Sequence, residues 1–94
     1  MSIFNKAPDR PYGRRVRADR LRKGQRLLSV DYDGSESADM ARTAAKLGHW
    51  PEITNVSYLR SGEDGHPTYY VAVEGGRGRE FPLRPDDKVT VAAD

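Results

Sequence analysis

Between positions 10 and 26 the chain places Arg10, Arg14, Arg15, Arg17, Arg20, Arg22, Lys23 and Arg26. The chemistry such a run supplies is anion contact. A guanidinium presents a planar fork of N–H donors that matches a phosphate bidentately and stays charged at any physiological pH. The charge is unevenly spread. Residues 1–28 hold nine basic and two acidic groups, a balance of +7, and the remainder holds seven basic and twelve acidic groups, a balance of −5. A basic segment on a mildly acidic body is the pattern of a polyanion-facing arm. The candidate phosphate contacts are Arg14, Arg15, Arg17, Arg20, Arg22, Lys23 and Arg26. Arg77 and Arg79, in the segment Gly75-Gly76-Arg77-Gly78-Arg79, could assist as a flexible basic loop. The bland readings are a solvated arm, an arm that binds an acidic protein, and a hairpin tip in which the glycines serve only the turn. Arginine outnumbers lysine 12 to 4. A GC-rich coding sequence accounts for that ratio but not for the clustering.

Other chemistries find little material. The chain has no cysteine, which removes disulfides, thiolate ligands and cysteine nucleophiles. His49 and His66 are its only histidines and stand apart, so no metal site is expected. Asp31, Asp33, Ser35 and Glu36 resemble calcium-loop spacing, but the glycine and glutamate of the twelve-residue loop are missing. No serine sits in Gly-x-Ser-x-Gly or another activating frame. Glu63-Asp64 and Asp86-Asp87 fall in turn sequences, where Asp bonds its own backbone. No enzyme activity and no cofactor are expected. Tyr12 lies inside the basic run, and alternation puts Tyr69 and Tyr70 on opposite faces of a strand. A tyrosine exposed in this way would offer a stacking platform for a base, although packing is the commoner use of a tyrosine.

Ninety-four residues, 36% apolar and 32% charged, make one small globular domain. No apolar run reaches the roughly 18 residues that span a bilayer. No apolar h-region opens the chain, so a cytoplasmic location and no membrane partner are expected.

The elements that must position these residues read as follows. Residues 1–14 form an extended basic arm punctuated by Pro8, Pro11 and Gly13, with Ile3-Phe4 at its tip. A first strand spans 15–18 with Val16 inward. A turn with Leu21 buried and Gly24 at positive φ follows. A second strand spans 26–32 with Leu28, Val30 and Tyr32 on one face. Asp33 and Glu36 have capping-box spacing, and Met40, Ala44 and Leu47 share a helical face, which predicts a helix over about 36–47 ended by Gly48. Trp50 anchors its exit. A third strand spans 53–60 with Val56, Tyr58 and either Ile53 or Leu59 buried. After the turn 61–65, Tyr69, Val71 and Val73 alternate with polar or small residues. Phe81 with Leu83 and Val89 with Val91 repeat that alternation. Three strands in some 25 residues predict a meander.

Residues Val16 to Leu28 resemble the strand, Leu-x-x-Gly turn and strand that open small β-barrels, both SH3-like barrels and the Hint fold of inteins. The chain also resembles short uncharacterised proteins of actinobacteria and their phages, which end on a strand preceded by Pro-Asp-Asp, here Pro85-Asp86-Asp87. The intein nucleophile at the N-terminus and its Thr-x-x-His block are missing, so splicing is not implied. The fold expected is mainly β: a small antiparallel, partly closed SH3-like barrel of five or six strands over 15–94, with one inserted α-helix. The function expected is a non-enzymatic nucleic-acid-binding module. The alternative is a protein-interaction module, such as a phage or bacterial accessory factor that binds a host protein or self-associates through exposed sheet edges.

Overall fold

A computed structural model describes residues 7–30, 38–62, 64–76, 78 and 80–93. It is mainly β. In chain order the elements are β1 (Gly13–Arg17), a 3-10 turn (Ala18–Arg20), β2 (Leu27–Val30), β3 (Ala38–Asp39), α1 (Ala41–Leu47), β4 (Ile53–Leu59), β5 (Thr68–Val73), β6 (Glu80–Leu83) and β7 (Lys88–Ala92). All strand pairs are antiparallel and form two sheets, ordered β1-β7-β2-β3 and β4-β5-β6.

Period-two alternation explains which faces meet. In β7, Val89 and Val91 are fully buried while Lys88 is exposed. Val71 and Val73 of β5 and Leu83 of β6 point to the same interior. In β2 all four residues are buried, because a bulge between Leu27 and Ser29 turns both Leu27 and Leu28 away from solvent. Ile53, Trp50, Met40, Ala44, Leu21 and Ala18 complete the core. Burying each Val, Leu or Ile side chain of this core contributes about 1.5–3 kcal/mol against the ordering entropy of the chain.

β7 does not continue a meander beside β6. The chain turns at Arg84–Asp87, where the Arg84 N–H donates to Asp87 Oδ2 at 2.8 Å and the Asp87 N–H to the Arg84 carbonyl at 3.0 Å. The Ala18 N–H then holds the Asp87 carbonyl at 2.7 Å, and β7 inserts between β1 and β2. The alternation of Val89 and Val91 fixes which face is buried but carries no information about the neighbouring strand. The resulting ladder order is non-local.

The partly closed barrel also needs correcting. The isolated bridge Arg26–Glu52, flanked by Leu27 N–H to Pro51 O at 2.8 Å and Ile53 N–H to Gln25 O at 2.7 Å, joins the sheets at one corner. Among the described residues no ladder joins their far edges, so the sheets do not close into a barrel. Pro82 gives a physical reason. It pairs with Tyr70 on the edge strand β6 and has no N–H to offer a further strand.

The helix is shorter than its apolar spacing predicts. Residues 38–39 pair with β2, and α1 begins at Ala41. The capping-box residues Asp33 and Glu36, and Tyr32, lie outside the described residues. The C-terminal reading holds: Gly48 caps α1 at φ 81°, its N–H bonded to the Ala44 carbonyl. In β4, Ile53 is fully buried and Leu59 is 51% exposed, and Tyr58, expected inside, is 48% exposed. Its ring instead leans on Tyr69 across the ladder, with centroids 4.8 Å apart. The β4–β5 hairpin extends past the core, so position along the strand outweighs alternation there.

Candidate functional site

Among the described residues β1 is an edge strand with β7 as its one ladder partner. Its side chains Arg14, Arg15 and Arg17 are exposed, and Val16, opposite Val89, is half-buried. Two strand rises separate Arg15 from Arg17, about 7 Å on one face. The chain then tightens into the 3-10 turn, fixed by Ala18 N–H to Asp87 O and Asp19 N–H to Pro85 O. Leu21 is buried as expected and pins this connector to the core. The turn after it is closed by the Arg22 N–H donating to Gln25 Oε1 at 2.8 Å, and Gly24 sits at φ 98°, where a side chain would be strained. Gly24 N–H reaches the Ile53 carbonyl at 2.9 Å, which ties the turn to β4.

This construction brings five of the nine candidate residues to one place. Arg14, Arg15, Arg17, Arg20 and Arg22 line an open trough of about 560 Å³, floored by Val16 and Gln25. Three of these lining residues come from β1 and two from the connector. Asp19 enters the cluster and takes Arg17 in a two-pronged contact, Nε to Oδ1 at 3.3 Å and Nη2 to Oδ2 at 3.0 Å. Lys23 is exposed at the neighbouring turn but does not line the trough. Arg26 is engaged elsewhere, Nη1 donating to the Trp50 carbonyl at 2.8 Å. Arg77 and Arg79 lie outside the described residues. Gly75, ahead of them, and Gly78, between them, sit at φ 74° and 80° on the connection from β5 to β6, as a hairpin turn requires.

The chain ahead of β1 is fastened to the body. Trp50 Nε1 donates to the Asp9 carbonyl at 3.1 Å, the Arg10 guanidinium lies 5.8 Å from the Trp50 ring centroid, and Ala93 N–H donates to the Tyr12 carbonyl at 2.7 Å. Tyr12 itself is 90% exposed, two residues from Arg14.

A second polar cluster escaped the sequence reading. His49 Nε2 lies 3.1 and 3.2 Å from the two oxygens of Glu74, and Glu74 Oε1 accepts the Glu52 N–H at 2.9 Å. The backbone N–H of Glu52, and then the His49 ring, hold the Glu74 carboxyl below its ordinary value. His49 and Glu74 are 25 residues apart and meet only through the fold, so no local spacing announces them. The cluster braces the exit of α1 against the end of β5. Asp64 plays a similar part for the β4–β5 loop. The His66 N–H and Arg84, whose Nη2 is 2.9 Å from Oδ2, bind it and lower its pKa. Among the described residues no group of three or more His, Cys, Asp or Glu side chains could hold a metal ion, and no helix is long and apolar enough to cross a membrane.

Comparison with protein-family models, curated proteins and solved structures finds no match. The resemblance to SH3-like and Hint barrels, and to actinobacterial and phage proteins, therefore gains no support from them.

Proposed function

We propose that this chain is a non-enzymatic nucleic-acid-binding module that grips phosphates in the β1 trough. The observation that carries the reading is the convergence of Arg14, Arg15, Arg17, Arg20 and Arg22 on one open surface, two elements contributing to it. An open trough suits a continuous backbone better than a small molecule, which prefers a closed and largely apolar pocket. Backbone bonds fix the course of β1 and the connector, so the points from which these side chains extend are set before a ligand arrives. Lys23 extends the positive surface at the rim.

The test is fluorescence anisotropy of the full chain with labelled duplex DNA, single-stranded DNA and RNA. Binding that falls steeply with salt is expected, and Arg14→Glu, Arg15→Glu and Arg17→Glu together should abolish it. Unchanged affinity in that triple variant would overturn the reading. The rival reading, a protein-interaction module, is favoured by Tyr58 and Leu59, both about half exposed at the end of the edge strand β4. It predicts no nucleic-acid binding even at low salt, where electrostatic attraction is strongest.

A further inference from the structure

The edges of the two sheets are not alike. The edge strand β1 carries Arg14, Arg15 and Arg17, and β6 carries Glu80 and Pro82. Charges and prolines of this kind block the addition of a further strand. β4 lies at the edge of its sheet, and residues 55–59 (Asn55, Val56, Ser57, Tyr58, Leu59) contain neither charge nor proline. Among the described residues only the foot of β4 is covered, by the contacts of Ile53 with residues 24 and 25.

The register shows which backbone groups face outward. The Glu74 N–H donates to the Glu52 carbonyl at 3.0 Å, so Glu74 and, by alternation, Ala72, Tyr70 and Thr68 direct their backbone groups toward β4. Their partners Asn55, Ser57 and Leu59 therefore spend their N–H and C=O groups on β5. Val56 and Tyr58 point theirs away from the sheet. The same parity turns Pro82, opposite Tyr70, toward the outside of β6, where its missing N–H breaks no bond. That agreement supports the assignment.

We propose that β4 is a self-association edge, on which a second copy of this chain adds its own β4 antiparallel about a twofold axis through Ser57. The sheet then runs β6-β5-β4-β4-β5-β6 across two copies. Of the registers centred between residues 55 and 59, this one alone pairs Val56 of one copy with Tyr58 of the other on both sides of the axis. Each such pair exchanges two backbone hydrogen bonds. Ser57 meets its own symmetry mate as a non-hydrogen-bonded pair, the closer kind. Tyr58 lies beside Val56 of the second copy on the core-side face, and Leu59 opposes Asn55 on the other, so both exposed apolar side chains gain cover. No like charges oppose each other within residues 55–59. This inference uses none of the trough arginines and deepens the protein-interaction reading by naming the partner as the chain itself.

Sedimentation of the full chain from micromolar to millimolar concentration should show the mass rise from 10.5 kDa toward twice that value. Ser57→Lys sets two lysines across the axis and should abolish the rise while leaving the far-ultraviolet circular dichroism unchanged. The register has its own test, because the chain has no native cysteine. Ser57→Cys should cross-link to itself under mild oxidation, since directly opposed non-hydrogen-bonded positions bring Cβ atoms within disulfide reach. Asn55→Cys and Leu59→Cys should each fail alone and cross-link when mixed. A monomer at every concentration overturns the proposal. So does a dimer that survives Ser57→Lys, or one in which Asn55→Cys links to itself as fast as Ser57→Cys. Loss of nucleic-acid binding in the arginine variants bears only on the trough.

Discussion

If the trough binds phosphates, its salt dependence follows from its composition. Five arginines line it and Asp19 already holds Arg17, so a ligand that meets four of the guanidinium groups sets the scale. Each phosphate neutralised by a protein cation releases condensed counterions, so the logarithm of affinity falls with the logarithm of salt at a slope of about −0.9 per contact on duplex DNA and about −0.7 on a single strand. Four contacts give slopes of about −3.6 and −2.8. A fourfold rise in salt, from about 50 to 200 mM, should then weaken duplex binding roughly 150-fold and single-strand binding roughly 50-fold. The informative perturbation is Arg20→Ala. Arg20 is exposed on the connector, away from the β1–β7 ladder, so its loss should spare the fold. One contact fewer reduces the duplex slope to about −2.7, so the same salt step should weaken binding only roughly 40-fold. The assay is anisotropy of a labelled duplex titrated at four or five salt concentrations, with Lys46→Ala, on α1 away from the trough, as the control. A slope that Arg20→Ala leaves unchanged, or that Lys46→Ala reduces equally, would refute the assignment of binding to the trough.

Further expectations concern what holds the site in place. Leu27→Ala removes a fully buried side chain where β2 meets β7. It should cost about 2–5 kcal/mol and lower Tm on the order of 10 °C or more, read by thermal denaturation; a drop of only a degree or two would mean this corner is not packed as described. Gly13 stands where a Cβ would lie 2.6 Å from Thr90 Cγ2 and 3.1 Å from Leu28 Cδ1. Gly13→Ala should therefore destabilise by about 1–3 kcal/mol, and adding Thr90→Ser, which deletes that methyl, should recover a measurable part in a double-mutant cycle; strict additivity would show that the contact is not the cause. Glu74 ionises below its ordinary value in the folded chain, so its stabilising effect is full above that ordinary value and lost as pH falls through the lower folded one. The Tm difference between the native chain and Glu74→Gln should be present at neutral pH and shrink across that acidic window; a difference independent of pH would place the cause outside the ionised carboxylate.

What the sequence made legible divides along a physical line. Local features came through. The alternation of Val71 with Val73 and of Val89 with Val91 marks buried faces, Gly48 marks a helix end, and Leu21 marks a buried plug in a turn. Each depends on residues within one turn or one pleat of one another. Pairing did not come through, because period two states which face is apolar and is silent about the neighbour. β7 reads like the third strand of a meander, yet it lies between β1 and β2. The same divide runs through the candidate site. Clustering in sequence picked out the arginines, but five of them line one trough only because the 3-10 turn ends β1 and Asp87 and Pro85 hold it there. Arg26 sits in the same run and is drawn off by the Trp50 carbonyl, 24 positions along the chain. A charge run thus fixes how many cations are at hand, and the fold decides how many act together. On this chain, nine candidate cations and a five-arginine trough predict different salt slopes, about −8 and −4.5 on a duplex, so one titration separates the full set read from sequence from the surface built by the fold.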